Sequence, residues 1–520
     1  MSAAGSNVRE NWSARSGFIF AAVGSAVGLG NIWRFPYVAY ENGGGAFLLP
    51  YLIALVTAGL PLLFLDYIVG HKYRRSAPLS YQQITAKAES IGWWQVMVCL
   101  FIGLYYASVL AWAASYVYFS FGQKWQADPE NFFTNQYLQS NTLQSGSSAG
   151  LSLDIIPHLF FPIVAMWLIV LTILLLGIKR GIEWSNKIFI PLLMVLFLIL
   201  VVTAVRLPGA MTGLDAFFTP NWQAMSSYKV WLAAYGHIFF SLSVGFGIMV
   251  TYASYLGKKV NLTASGLVVG LANSSFELLA GIGVFAALGF MAQVQGVPVS
   301  DVVKGGIGLA FIVFPKLISS LGSGGDWFGC LFFSCLVFAG ITSLVSVMEV
   351  PISAIVDKTG CQRKTAVLGV GGGTALVSTL LFSTASAMML VDIIDHFINN
   401  IGVVLGALLS IVLVAWLMRS KLSEYTRHVN AISSIKLGKV WQILLMVVTP
   451  LSLIVALVLT MSELFSAGYG DYSRAMVMTF GWGSVLCCLL GAILLPYLPH
   501  QKNKRGDAKS TTSIRESHHE

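Results

Sequence analysis

Two short stretches concentrate the residue types that could build a binding site. The first is Gly24-Ser25-Ala26-Val27-Gly28-Leu29-Gly30-Asn31, followed by Arg34 and Pro36; the second is Ser241-Leu242-Ser243-Val244-Gly245-Phe246-Gly247. Within them Val27-Gly28-Leu29-Gly30 and Val244-Gly245-Phe246-Gly247 match as V-G-[LF]-G, each near the middle of a long apolar run. Glycine lowers the cost of unwinding a helix, and unwound backbone at membrane depth is tolerated only where it lines a cavity. Paired interruptions at matching positions of two halves point to the central site of a transporter. Small residues that merely let helices approach closely are the competing reading; two matched tetrapeptides with polar side chains beside them favour a site. A third feature is Glu277, one helical turn after Asn273 and on the same face. The parts for covalent chemistry are missing: the sequence has no GxxxxGK[ST] loop, no HExxH and no CxxC.

The elements that would position these residues follow from composition. The 520 residues are 56% hydrophobic and 10% charged, with a mean hydropathy of +0.76. Uncharged stretches run between Arg15 and Arg34, Glu41 and Asp66, Glu89 and Lys124, and Asp154 and Lys179. Each approaches or exceeds the roughly 20 apolar residues that cross a hydrocarbon core. This excludes a soluble enzyme, a disordered chain, a coiled coil and a β-barrel, whose strands alternate every second residue. The expected fold is an all-α integral membrane protein. Its spans fall near 17–40, 46–70, 93–122, 156–178, 185–205, 230–256, 263–293, 327–357, 365–383, 387–417, 440–463 and 475–498.

Twelve spans put both termini on one side. With that side cytoplasmic, most of the Lys and Arg fall in inner segments, as the positive-inside rule requires, and the outer loops keep few. The net charge of +9, from 31 basic and 22 acidic residues, is thus topological and implies no nucleic-acid partner. The expected organisation is a cytoplasmic segment 1–16, five helices over 17–205, an outer loop 206–229 and five helices over 230–417. A cytoplasmic loop 418–439, two more helices over 440–498 and a cytoplasmic tail 499–520 complete it. Of the six cysteines, Cys99, Cys330, Cys335, Cys487 and Cys488 sit in spans and Cys361 in an inner loop, so no disulfide framework is expected. No cleavable signal is evident, and the sequons at Asn11, Asn261 and Asn273 all avoid the outer face.

Residues 25–51, SAVGLGNIWRFPYVAYENGGGAFLLPY, strongly resemble the first two helices of the neurotransmitter:sodium symporter family, of solute carrier 6 type. FFSLSVGFGIMVTYASY at 239–255 and FAGITSLVS at 338–346 extend the likeness along nearly the whole chain, with the bacterial leucine-transporter-like amino-acid carriers as the nearest subgroup. The resemblance implies twelve transmembrane helices in a five-plus-five inverted repeat with broken first and sixth helices, and two sodium sites beside a central amino-acid site. By motif position, the first sodium is held by the Ala26 carbonyl, Asn31, Ser241, Asn273 and the substrate carboxylate. The second takes the Gly24, Val27 and Ala339 carbonyls with the hydroxyls of Thr342 and Ser343. Sodium is a hard cation, and carbonyls freed by unwinding supply oxygen without burying further full charges. For Thr342 and Ser343 the competing reading is a hydroxyl bonded back to its own helix.

The same carry-over lines the substrate pocket with Ser25, Leu29, Ile102, Tyr106, Phe240, Ser243, Phe246 and Val347. Ala26, Gly28, Gly30, Ser241 and Ser343 lie against it. Tyr106 would donate to the substrate carboxylate and Phe240 would close over it. Monoamine-carrying relatives place an Asp in the first helix, where this chain has Gly28. A zwitterion brings its own carboxylate, so an α-amino acid with an aliphatic or aromatic side chain is expected; a methylene in such a pocket is worth only ~1–3 kcal/mol of discrimination. Arg34 with Asp395 resembles the outer gate, and Arg9 with Asp357, beside Trp12, Ser254 and Tyr255, the inner one. Chloride-dependent relatives carry a Ser where Glu277 stands. The carboxylate can supply the negative charge itself, which implies chloride-independent transport and opens proton antiport on the return step. Asp66, His237 and Glu349 have no role beyond that of satisfied buried polar groups. The expected activity is sodium-coupled symport in a bacterial or archaeal cell membrane, driven without ATP. An amino-acid sensor of the same fold and a carrier of another small zwitterion or osmolyte are the alternatives. The last two helices serve packing or homodimer contact.

Overall fold

The computed structural model describes residues 10–140, 151–303, 305–466, 468–470 and 472–499. Among these the fold is all helical, with one isolated bridge between Gly44 and Pro220. The long helices are α1 (Arg15–Ala26), α2 (Leu29–Glu41), α3 (Gly45–Tyr73), α4 (Ala86–Ser120), α5 (Pro157–Leu175), α6 (Ile178–Val205), α7 (Tyr228–Ser241) and α8 (Ile248–Ser254). They continue with α9 (Leu262–Gln295), α10 (Gly322–Thr359), α11 (Arg363–Phe382), α12 (Ala387–Leu417), α13 (Arg419–Ile432), α14 (Lys439–Ser466) and α15 (Arg474–Tyr497).

Among the described residues ten helices are each long and apolar enough to cross a membrane, and the α1–α2 pair, bent by 53°, counts as an eleventh if it is one span. This fits a multi-pass membrane protein. The expected twelve are not reached by length and apolarity, because the stretch around 230–256 is divided into α7 and α8, with 14 and 7 residues. The span expected from residue 185 begins instead at Ile178. The charges that suggested a loop there are absorbed at the helix start: Glu183, almost wholly buried, accepts from the Ser13 amide at 2.8 Å and pairs with Lys187 at 2.5 Å.

Burial separates an inner set of helices from an outer one. In the apolar windows of α4 and α10, which make the most extensive contact in the molecule, 72% of residues are buried, against 22% in α14 and α15. The last two helices therefore present most of their apolar side chains outward, and the core that frames the broken segments is built from α4, α9 and α10.

One buried ion pair fastens this frame. Lys358 Nζ lies 2.6 Å from Glu89 Oε1 and 2.9 Å from the Pro496 carbonyl, which ties α10 to the start of α4 and the end of α15. Gln82 and the Trp93 indole donate to the same carboxylate at 2.7 and 2.9 Å. Removing one member of a buried pair strands the other charge, at about 3–5 kcal/mol. Lys358→Ala should therefore lower the thermal midpoint of the purified protein steeply, and the double variant Glu89→Gln/Lys358→Met should regain most of the loss.

Candidate functional site

The two breaks have different backbone causes. After Ala26 the chain turns extended, with Val27 at ψ 90° and Gly28 at φ −116°, ψ −169°. The amides that a continuous helix would return to the carbonyls of Gly24 and Val27 go elsewhere. Gly28 N–H donates to Asn31 Oδ1 at 2.9 Å and Asn31 N–H to the Gly28 carbonyl at 3.3 Å. The Leu29 amide donates to the Tyr106 hydroxyl at 3.2 Å. Between α7 and α8, Ser243, Gly245 and Gly247 all adopt positive φ, at 53°, 85° and 83°. The freed Gly245 amide donates to Asp66 Oδ2 of α3 at 3.2 Å, which gives the fully buried Asp66 a partner.

A cavity of about 720 Å³ opens at these breaks. Ser25, Leu29, Ile102, Tyr106, Phe246 and Val347 line its floor, and Ala26, Gly28, Gly30, Asn31, Phe240, Ser243 and Ser343 also face it. The pocket residues carried over from the motif are thus brought together, except Ser241, which does not line this cavity. The Ser243 and Ser343 hydroxyls both point to the Ser25 carbonyl, at 3.1 and 3.5 Å. A side chain at Gly28 would enter this space, since its Cβ would lie 3.1 Å from the Tyr106 hydroxyl and 3.4 Å from that of Ser343.

Behind the cavity Asn31, Ser241 and Asn273 form one polar cluster with Glu277. Asn31 Nδ2 donates to Asn273 Oδ1 at 2.9 Å and to Glu277 Oε1 at 3.2 Å; Asn273 Nδ2 donates to the Ser241 hydroxyl at 2.5 Å. Glu277, with no exposed surface, also accepts from Ser241 at 2.6 Å, meets His237 Nε2 at 2.7 Å and accepts from Tyr51. His237 acquires a partner in this way, and Tyr51 is a member that the sequence did not announce.

The oxygens assigned to a second ion are less uniform. Thr342 bonds back to its own helix, at 3.1 Å to the Phe338 carbonyl and 3.0 Å to that of Ala339. Gly24 and Val27 have lost their helical amides, and the buried Ser25 hydroxyl has no partner among the described residues. Such unclaimed oxygens suit an oxygen-seeking cation.

The two ends of the cavity differ. Towards the loops it continues past Arg34, Tyr37, Gly305–Gly308, Asp395 and Tyr469. Arg34 and Asp395 do not form an ion pair within 4 Å; the guanidinium lies 4.9 Å over the Phe240 ring, and Asp395 accepts from Asn399 at 2.7 Å. At the terminal end the chain is sealed. Trp12, 7% exposed, donates to the Tyr252 carbonyl at 2.9 Å, and its ring packs edge-on against Phe18, Tyr252 and Tyr255. Glu349 is held by Arg363 at 2.5 and 2.9 Å and by the Tyr255 hydroxyl at 2.7 Å. Asp357 accepts from the Ser76 amide at 2.6 Å, and the Ser254 hydroxyl donates within its own helix to the Thr251 carbonyl at 2.5 Å. Arg9 lies outside the described residues.

Gly245 is where the second break is most constrained. Its φ of 85° disfavours any side chain, and a Cβ would stand 2.5 Å from that of Ala407. A residue forced into this region costs about 1–3 kcal/mol. Gly245→Ala should lower the thermal midpoint accordingly, whereas Gly257→Ala, at an exposed position with open space around it, should not.

Residues 9–502 match the description of the sodium:neurotransmitter symporter family. Over 491 residues the chain is 42% identical to an uncharacterised sodium-dependent transporter of Methanocaldococcus jannaschii, covering 94% of this chain and 95% of that one. Among solved structures it resembles MhsT in complex with L-phenylalanine, with a TM-score of 0.72 and 29% identity over 87% of this chain and 100% of that one.

Proposed function

Because the chain belongs to the sodium:neurotransmitter symporter family, and is a sodium-dependent symporter rather than an enzyme, we propose that it imports a hydrophobic amino acid by alternating access. The observation that carries the substrate class is the cavity floor. It is lined by aliphatic and aromatic side chains and small hydroxyls, and Gly28 stands where a carboxylate would serve a cationic amine. A zwitterion can place its carboxylate against the first sodium and its side chain among Ile102, Phe246 and Val347. MhsT, a neighbour in structure, is solved with L-phenylalanine, which supports an aliphatic or aromatic side chain here.

Two sodium ions accompany the substrate in this reading. Ala26, Asn31, Ser241 and Asn273 hold the first with the substrate carboxylate; Gly24, Val27, Ala339, Thr342 and Ser343 hold the second, Thr342 once its hydroxyl leaves the Phe338 carbonyl. Ion and substrate sharing a ligand shell raise each other's affinity reciprocally. Arg34 and Asp395 close the cavity over the cargo, and the Trp12 seal, with Arg9 and Asp357, opens to release it. The protein sits in the cell membrane with both termini cytoplasmic, as the placement of Lys and Arg supports.

Glu277 takes the place of chloride. A fixed carboxylate bonded to Ser241 and Asn31 offsets the sodium charge without an added anion. Proton antiport belongs to the same reading, since an empty carrier returning with Glu277 uncompensated would take up a proton in place of sodium.

Uptake of labelled amino acids into proteoliposomes tests these assignments. Hydrophobic amino acids should accumulate with an inward sodium gradient and not when choline replaces it. Replacing chloride by gluconate should leave uptake unchanged, and Glu277→Ser should make it chloride-sensitive; a collapse of the parent protein's uptake in gluconate would refute the charge-balancing role.

A further inference from the structure

Asn186 stands on α6 where α1, α6 and α10 meet, and none of its side chain is exposed. Its Nδ2 donates to the Ile182 carbonyl at 2.8 Å. That bond fixes which way the amide faces, because the reversed amide would set two carbonyl oxygens against each other. Oδ1 is therefore directed away from its own helix and towards Gly24 of α1. A methyl group at Gly24 would fall on this oxygen, so the glycine is what admits it. The other near neighbour of that position is Ile190 Cδ1, a methyl group that is no hydrogen-bond donor. Oδ1 has no hydrogen-bond partner among the described residues.

A buried amide oxygen without a donor is a cost that an isosteric Leu would remove. Here it lies beside Gly24, whose own carbonyl has lost its helical amide to Asn31. Two oxygens without their usual donors thus belong to neighbouring residues among the described ones, and such oxygens suit a small hard cation. We propose that Asn186 is a further sodium-binding residue: its Oδ1 joins the Gly24 carbonyl in offering oxygen to the second sodium. This adds α6 to a site otherwise drawn from α1 and α10. The assignment rests on the sodium reading of the first break given above.

The test is the sodium dependence of thermal unfolding, with the full-length purified protein titrated with NaCl against choline chloride at constant ionic strength. Amino acid is left out, so the first site lacks its carboxylate ligand and contributes least. Asn186→Leu keeps the bulk and removes the oxygen. Its half-saturating sodium concentration should rise at least fivefold, while its midpoint in choline stays equal to the parent's or rises. Asn186→Asp keeps an oxygen at the same place and should respond at parental or lower sodium, which guards against a Leu variant that fails to fold. An Asn186→Leu protein that responds to sodium at the parental concentration would overturn the assignment of Asn186 alone. A parent protein indifferent to sodium would overturn the sodium reading of the break and this proposal with it.

Discussion

A peptide group released from a helix inside a membrane has no water to turn to, and this constraint organises the centre of the molecule. At the breaks three freed amides are claimed by side chains, Gly28 by Asn31 of the same span, and Leu29 and Gly245 by Tyr106 and Asp66 of other helices. The donors are thereby satisfied, while carbonyls at the same points are left with spare lone pairs. The imbalance has a direction. Where amides are engaged and carbonyl oxygens are freed, the site favours cations over anions before any acidic side chain is counted.

Glu277 adds a buried carboxyl group to that field. Ser241, Asn31, Tyr51 and His237 surround it, so its lone pairs are occupied and the carboxylate is held in place. Burial of an isolated carboxylate would be prohibitive, whereas one with this many hydrogen-bond partners is tolerated. Its partners Asn31 and Ser241 stand beside the two breaks, at the start of α2 and the end of α7. Charge at Glu277 therefore reaches a cation there through two shared hydrogen-bonding groups rather than across empty space.

Much of this was legible in the sequence, and the limits have physical causes. The all-helical membrane class and the first break follow from hydrophobic run length and from glycine beside polar residues, and the second break from the matching tetrapeptide. The partners of buried charges do not. Asp66 is matched by the Gly245 amide, 179 residues away, a donor that exists only because the helix is broken. Glu349 is neutralised by Arg363, beyond the end of its own helix, where sequence reading sees only a loop charge. Thr342 shows the reverse: the motif points to an ion ligand, and in this structure the hydroxyl bonds to its own turn, a local contact always in reach. Asn186 carried no signal, since one Asn in an apolar span has no periodicity to betray which way it faces.

The distribution of these contacts bears on how the molecule could move. In the family's alternating-access scheme the first, second, sixth and seventh spans, here α1 to α3 and α7 to α9, rock against the rest. Asn31, Tyr51, Asp66, His237, Ser241, Gly245, Asn273 and Glu277 all belong to that group, so its polar network can survive the motion intact. Contacts across the boundary are longer and fewer at the cavity, such as Ser343 to the Ser25 carbonyl at 3.5 Å and Leu29 to Tyr106 at 3.2 Å. The two sodium positions proposed above then differ in kind. The first has every protein ligand inside the moving group and meets the other body only through the substrate. The second takes Gly24 and Val27 from one body and Ala339, Thr342, Ser343 and Asn186 from the other. An ion there would clamp the two bodies directly, and its departure would be the event that lets them part.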